Sequence, residues 1–206
     1  MKTTGAFWHA IGEGRAGRRR GLSAPRLWRD RKAAAIVEFS LIVPVFFAVL
    51  AASIDLGQAV RTKFQLASAL AAASNYALNS ASSATSGGGA GLASNLAKIA
   101  ASYNGSSATN NASVVVNNGP TASVTTGGTV TTGGTASNAD LYYCPSGARA
   151  SIVWGSGSNS SSSCASGGVS SGKFVLITVS RAYTSLILPS PMVASSLTAS
   201  SMVQVQ

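Results

Sequence analysis

The chain has 206 residues, room for one modest domain beside a long helix, and only 10% of them are charged, yet the net charge is +10. Residues 1–32 hold nine Lys/Arg against two acids, and residues 33–206 hold six against three. A basic face spread over a folded domain would indicate a nucleic-acid partner. Charge confined to a tail without interleaved aromatics argues for no nucleic acid, and a single histidine, His9, argues against a metal site.

Residues 1–32 read as a basic cytoplasmic leader, Gly- and Arg-rich and without sustained periodicity. Arg18, Arg19, Arg20, Arg26, Arg29, Arg31 and Lys32 are suited to hold a helix end against anionic membrane lipid, and Trp28 suits the headgroup zone. Gly12 to Gly17 fits G-x-G-x-x-G, but no strand precedes it and no βαβ unit surrounds it, so the match is chance. From Ala33 to Leu56 there are 24 residues whose only charges are Glu38 and Asp55. As a helix they cover roughly 36 Å, enough to cross a bilayer with some tilt. The positive-inside rule then puts the N-terminus in the cytoplasm and the C-terminal part outside.

Glu38 is the costly residue of this span. A carboxylate at mid-membrane costs on the order of 2.5–3.5 kcal/mol by insertion scales. Two readings stand: Glu38 lies shallow near the headgroups, or it meets a positive charge on another subunit. Pro44 has no N–H for the carbonyl of Ser40, a loss tolerated in membrane helices, usually with a kink. It is either an ordinary transmembrane proline or a bend needed for packing.

The run Ala33-Ala34-Ala35-Ile36-Val37-Glu38-Phe39-Ser40-Leu41-Ile42-Val43-Pro44, followed by Ile54-Asp55-Leu56-Gly57 and an Ala-rich continuation, resembles the TadE-like pilus-assembly proteins. These are pseudopilins of the tight-adherence (Flp-type, type IVb) systems. The resemblance covers about Arg29 to Leu78. It implies a bitopic protein of the bacterial inner membrane that works with other pilin or pseudopilin subunits and the Tad assembly machinery. It also implies a prepilin peptidase cut between Ala33 and Ala34, which would make Glu38 the fifth residue of the mature chain. The residue before such a cut is usually Gly and is Ala33 here. After cleavage the amino group of Ala34 would be the positive partner for Glu38 of a neighbour, with Glu38 and Phe39 setting subunit register.

From Gly57 to Asn79 the helix continues. Val60, Phe64, Ala67, Ala71, Ser74 and Leu78 recur at spacings of three and four and predict one narrow apolar face, packed on the protein's own domain or on a partner helix. Gly87-Gly88-Gly89 predicts the end of this helical region. A short second helix is expected over Leu92 to Tyr103, with Leu92, Leu96, Ile99 and Tyr103 on one side.

Ser, Gly, Thr and Asn dominate residues 104–172. Ala112 to Asn117 reads as a strand closed by an Asn118-Gly119-Pro120 turn. Thr125 to Val130 is nearly repeated by Thr131 to Ala136, which predicts a hairpin or a plain loop rather than a solenoid. Tyr142, Tyr143, Ile152, Val153 and Trp154 are strand material, and Ser156 to Ser163 reads as flexible loop. Lys173 to Ser180 predicts a strand buried on both faces. Pro189 and Pro191 interrupt regular structure beyond it. The end alternates, with Leu197, Ala199, Ser201, Val203 and Val205 on one face, as expected of a half-buried strand. Residues 81–206 hold 31 large apolar side chains in 126 positions, material for a thin core.

Cys144 and Cys164 lie on the outer side. A disulfide there, the favoured reading against two thiols, would contribute roughly 3 kcal/mol in the chain-entropy model. No catalytic set is legible and no cofactor is expected. Gly168 to Gly172 fits G-x-S-x-G without the strand-to-helix elbow, and no histidine on that side can act as base. Asp140 is the only carboxylate side chain after residue 80, so paired acid/base chemistry has no second member.

The expected architecture is therefore α+β and membrane-anchored. It has three parts: the leader 1–32, the transmembrane helix and its continuation 33–80, and a Ser/Thr/Gly-rich β domain 81–206 with one disulfide. The expected function is structural, that of a minor pseudopilin or assembly factor. The competing reading is a secreted or anchored adhesin-like domain, its Phe39–Ile54 segment serving as a signal cut after Ala51.

Overall fold

The computed structural model describes residues 31–102, 109–165, 170–185 and 194–206. The Arg18 to Trp28 cluster, the glycines at 12–17, His9, Tyr103, Pro189, Pro191, Gly168 and Val169 lie outside the described residues. The chain divides into two compact units, residues 1–47 and 48–206.

Helix α1 runs Arg31–Asn79. Its composition explains its length: Ala, Leu and other good helix formers fill it, and Pro44 and Gly57 are the only breaker residues inside it. The helix passes through Pro44 unbroken. In the first unit, α1 leaves Ile36, Val37, Phe39, Leu41, Ile42, Val45, Phe46 and Phe47 exposed. An apolar surface of this kind, on a helix long enough to cross a membrane, is what a lipid-facing segment requires.

The second unit is a two-layer α+β domain. Helix α2 spans Gly89–Ala101. The strands are β1 (Asn111–Val116), β2 (Pro120–Val124), β3 (Val130–Gly134), β4 (Ser146–Ala148), β5 (Ser151–Val153), β6 (Phe174–Ala182) and β7 (Ser196–Gln204). Five of them form an antiparallel sheet in the order β3-β2-β1-β6-β7, and β4 and β5 pair separately as a small hairpin. The central pairings are Val114 with Ile177 and Ile177 with Ser201, so β6 is sandwiched between β1 and the C-terminal strand.

One face of the sheet makes the core. Ala112, Val114 and Val116 of β1, Ala122 and Val124 of β2, Val175, Ile177 and Val179 of β6, and Leu197 of β7 are buried together with Leu66, Leu70, Ala73 and Ala77 of α1 and Leu92, Leu96 and Ala97 of α2. Strand alternation sends the intervening residues to the other face. The expectation that β6 is buried on both faces is corrected by this arrangement. Phe174, Leu176 and Thr178 are half-exposed, because helices cover only the face carrying Val175 and Ile177.

Other expectations shift as well. The Gly87-Gly88-Gly89 triplet does not end α1, which stops at Asn79, with a 3₁₀ turn at Ala81–Ser83 in between; Gly89 instead opens α2. Ile99 is only partly buried, and the core face of α2 carries Ala93, Ala97 and Ala100 beside Leu92 and Leu96. A Cβ at Gly89 would sit 2.9 Å from the ring of Pro120, so glycine lets α2 start against β2. The first hairpin turns one residue earlier than expected. Asn117 and Asn118 take φ of 49° and 53°, the Gly119 N–H donates to the Val116 carbonyl over 2.9 Å, and Pro120 begins β2. Asn tolerates this left-handed backbone better than other side-chain-bearing residues.

In α1 the domain takes a different side of the helix from the one the apolar spacing marks, which removes the own-domain alternative for that stripe and leaves the partner helix. The side that packs on the domain carries Asp55, Leu66, Ala69, Leu70, Ala73 and Ala77, with Ala59 partly buried. Most of the expected apolar face is outward: Val60, Phe64, Ala67, Ala71 and Leu78 are exposed, and Phe64 is 70% so. The two stripes are offset by about one residue, or roughly 100° around the helix. Ser74 alone of the expected set faces the sheet, its hydroxyl 3.3 Å from that of Ser201.

Candidate functional site

The residues singled out in α1 lie on one continuous helix but face different surroundings. Ala33 and Ala34 fall in the first turn of α1. Glu38 and Phe39 are exposed, with Phe39 at 69%, and so is Pro44. Ser40, whose carbonyl loses the N–H of residue 44, turns its own hydroxyl to the Val37 carbonyl at 2.8 Å. Among the described residues, no side chain of the first unit covers Glu38.

Asp55 is different. It is 1% exposed, on the side of α1 that faces the sheet, and its main-chain carbonyl accepts the Tyr183 hydroxyl hydrogen over 2.6 Å. Further along α1, Gln65 accepts from Arg181 through its side-chain oxygen at 3.1 Å. Tyr183 and Arg181 both sit at the C-terminal end of β6, so these two contacts, with the Ser74–Ser201 pair, fix the rotation of α1 about its axis. Asn95 of α2 adds a longer contact to the Tyr76 hydroxyl at 3.4 Å.

The outward apolar stripe is a consequence of that rotation. Once Asp55, Leu66, Leu70, Ala73 and Ala77 are turned to the domain, Leu56, Val60, Phe64, Ala67, Ala71 and Leu78 must face away from it. Contiguous exposed apolar surface on this scale marks a place where lipid or another protein sits.

Residues 33–75 match the TadE-like protein family. No curated protein and no solved structure matches the chain. The TadE-like segment begins at Ala33 and ends at Asn75, so it takes in the apolar span, Glu38, Pro44, the Asp55-Leu56-Gly57 step and most of the outward stripe, and none of the sheet. A TadE-like segment points to a Tad pilus-associated protein, and the one helix of sufficient length and apolarity among the described residues is consistent with a single-pass membrane anchor.

In the β domain the two cysteines are joined, Cys144 to Cys164, with Cα atoms 5.7 Å apart. The loop they close carries the β4–β5 hairpin and Trp154, whose ring meets Tyr143 edge-on at 5.9 Å. The serine tract is tied down at two places, where Ser158 pairs with Tyr142 and Ser163 with Ser170. Ser170 to Gly172 lead into β6, so a strand comes after the serines and no nucleophile elbow is built. Asp140 accepts the Ser86 main-chain N–H at 2.9 Å, and hydrogen bonding to Ser86, helped by Lys173, holds its carboxyl below the ordinary range. Lys173 is 7% exposed and rests its ammonium 5.5 Å from the centre of the Tyr142 ring. Among the described residues no three His, Cys, Asp or Glu side chains come together as a metal site.

Sequence reasoning did not single out the side chain of Asn117, which is fully buried and closes the base of the domain. Its amide donates to the carbonyls of Ala139 (2.9 Å) and Leu141, and its side-chain oxygen accepts from the Phe174 N–H at 3.2 Å. An Asn-Asn-Gly-Pro string marks the turn; nothing in it marks the long-range partners.

Proposed function

We propose that this chain is a minor pseudopilin or assembly factor of an adhesive Flp-type (Tad) pilus, acting structurally through α1. The observation that carries the reading is the coincidence of the TadE-like match with an apolar helix face that its own domain leaves uncovered. In this arrangement residues 1–32 are a cytoplasmic leader, residues 33–80 cross the inner membrane and continue beyond it, and residues 81–206 face the periplasm or the cell exterior. The two cysteines fit that oxidising side.

Lipid covers the span from Ile36 to Ile54. Beyond it, Val60, Phe64, Ala67, Ala71 and Leu78 offer a stripe to the helix of another pilin or pseudopilin subunit, with alanines permitting close approach. Glu38 meets a positive charge of that neighbour, the Ala34 amino group if prepilin peptidase has cut after Ala33, and thereby sets register. Pro44 supplies a bend between the two stretches.

The test is the mature N-terminus, read by mass spectrometry of the membrane-extracted protein, together with pilus assembly in a Glu38→Ala strain. A start at Ala34, or an intact Met1 with assembly lost on Glu38→Ala, agrees with the proposal. A start at Ala52 would establish a secreted domain instead, and normal piliation in the Glu38→Ala strain would remove Glu38 from the mechanism.

A further inference from the structure

The outer face of the sheet, opposite the helices, carries an apolar row. Val115 of β1 pairs with Leu176 of β6, and Leu176 with Met202 of β7, so the three side chains stand side by side across the strands. All three are half-exposed. One step along the strands, Phe174 lies opposite Gln204 on the same face. Here the β4–β5 hairpin and the sheet border an open cleft of about 320 Å³, within the range of small-molecule sites.

Each wall of the cleft is mixed: Phe174, Met202 and Gln204 line it from the sheet, and Pro145, Ile152 and Arg149 from the hairpin side, so apolar surface lies beside two polar groups. Arg149 is exposed and has no ion pair or hydrogen bond among the described residues. No acid lies in the lining, and residues 48–206 hold six Lys/Arg against Asp55 and Asp140. Asp55 is buried against Tyr183 and Asp140 is bonded to Ser86, so neither lies in the cleft.

We propose that this cleft is a binding site for a small organic anion with an aromatic or branched apolar body. The body lies against Phe174, Met202 and Ile152. The carboxylate is taken by the Arg149 guanidinium, whose planar fork suits it, and Gln204, whose amide nitrogen gives one hydrogen to the Gln206 carbonyl at 3.3 Å, has a second to offer. The cleft shares no residue with α1, so this binding is independent of the role proposed for the helix.

The experiment uses the full chain in nanodiscs of uncharged phosphatidylcholine, with binding followed by NMR shifts of the Met202 and Ile152 methyl groups. The probes are N-acetylphenylalanine, its uncharged amide, and N-acetylglycine, which keeps the carboxylate without the ring. The expected result is saturable binding of N-acetylphenylalanine alone. Arg149→Gln should weaken it roughly tenfold or more, the worth of one charged hydrogen bond. Arg149→Lys should recover part of the loss, and Lys98→Gln, exposed on α2 away from the cleft, should change nothing. Non-saturable shifts, equal binding of the amide or of N-acetylglycine, or undiminished binding by Arg149→Gln would each overturn the proposal.

Discussion

Tyr183 donates its hydroxyl hydrogen to the main-chain carbonyl of Asp55 across 2.6 Å, joining the C-terminal end of β6 to the middle of α1. Both residues are buried, and the bond holds the turn of helix at which the apolar span gives way to the domain-packed half. Tyr183→Phe keeps the ring in place and removes only the hydroxyl. The carbonyl lies within a continuous helix, so the ladder still serves it, and the expected cost is about 0.5–1.5 kcal/mol rather than a full desolvation penalty. Chemical denaturation of the detergent-solubilised protein reads this directly; an unchanged midpoint would show that the contact contributes nothing to stability.

Asn117 should be far less tolerant. Its side chain serves two carbonyls of the 139–141 segment and the Phe174 N–H, and its backbone is left-handed. Asn117→Gly relieves the backbone but leaves buried groups without partners, at about 1–3 kcal/mol for each group exposed to that loss. Asn117→Ala adds about 1–2 kcal/mol for a side chain in the left-handed region. Alanine is therefore the worse replacement, the reverse of the order found in helices, and paired denaturation curves of the two variants check it.

The contrast between α1 and the sheet shows what was legible in the residues. The long apolar run with Glu38, Pro44 and Asp55-Leu56-Gly57 announced the membrane-competent helix and its likeness to TadE-like segments, since length and composition alone decide whether a helix can span. Strands β1, β6 and β7 were legible from their branched and alternating residues. The rotation of α1 was not. Its second half is apolar on two sides, and Val60 and Phe64 are larger than the alanines that turn out to be buried. Size marked the outward stripe rather than the one packed on the domain, because the polar anchors at Tyr183, Arg181 and Ser201 lie more than a hundred residues away. Long-range polar anchors of this kind leave no local periodicity to read.

The near-repeat Thr-Thr-Gly-Gly does two different jobs, and glycine substitutions should separate them. Gly127 and Gly128 form the β2–β3 turn with φ of 107° and 90°. Gly134, at the end of β3, has φ of 86°, and a Cβ there would lie 2.1 Å from the Gly119 carbonyl oxygen, a backbone atom that cannot swing aside. Gly133 has only the Thr121 hydroxyl at 3.4 Å. Gly134→Ala should cost about 2 kcal/mol or more through strain and displaced pairing. Gly133→Ala, on a strand that tolerates alanine better than glycine, should be neutral within about 1 kcal/mol. Comparable losses for both would contradict the geometry.

Asp140 gives the domain a defined acid response. Its folded pKa is lowered from the ordinary 3.8, chiefly by hydrogen bonding to Ser86. A carboxylate with a depressed folded pKa contributes stability above its unfolded value and loses it as pH falls through the folded one. From pH 7 to 5 this group should therefore leave stability unchanged, with the loss beginning as pH drops below about 3.8. Asp140→Asn should flatten that part of the stability profile without shifting the neutral plateau by an amount that depends on pH. Thermal melts of both proteins between pH 2 and pH 7 decide it.

Reduction of the Cys144–Cys164 bond should loosen one part of the domain and spare the rest. The chain-entropy model assigns roughly 3 kcal/mol to a loop of this size, but no residue between the two cysteines belongs to the hydrophobic core. The β4–β5 hairpin is held from outside the loop mainly by Tyr142–Ser158 and Ser163–Ser170 pairing, while β1, β6 and the helices pack without it. A Cys144→Ser/Cys164→Ser double variant should therefore show fast amide exchange over Ser146–Val153 while Val114, Ile177 and Leu96 keep their protection. Uniform loss of protection across the sheet would mean instead that the loop is part of the cooperative core, and that burial alone misplaces where the domain's stability resides.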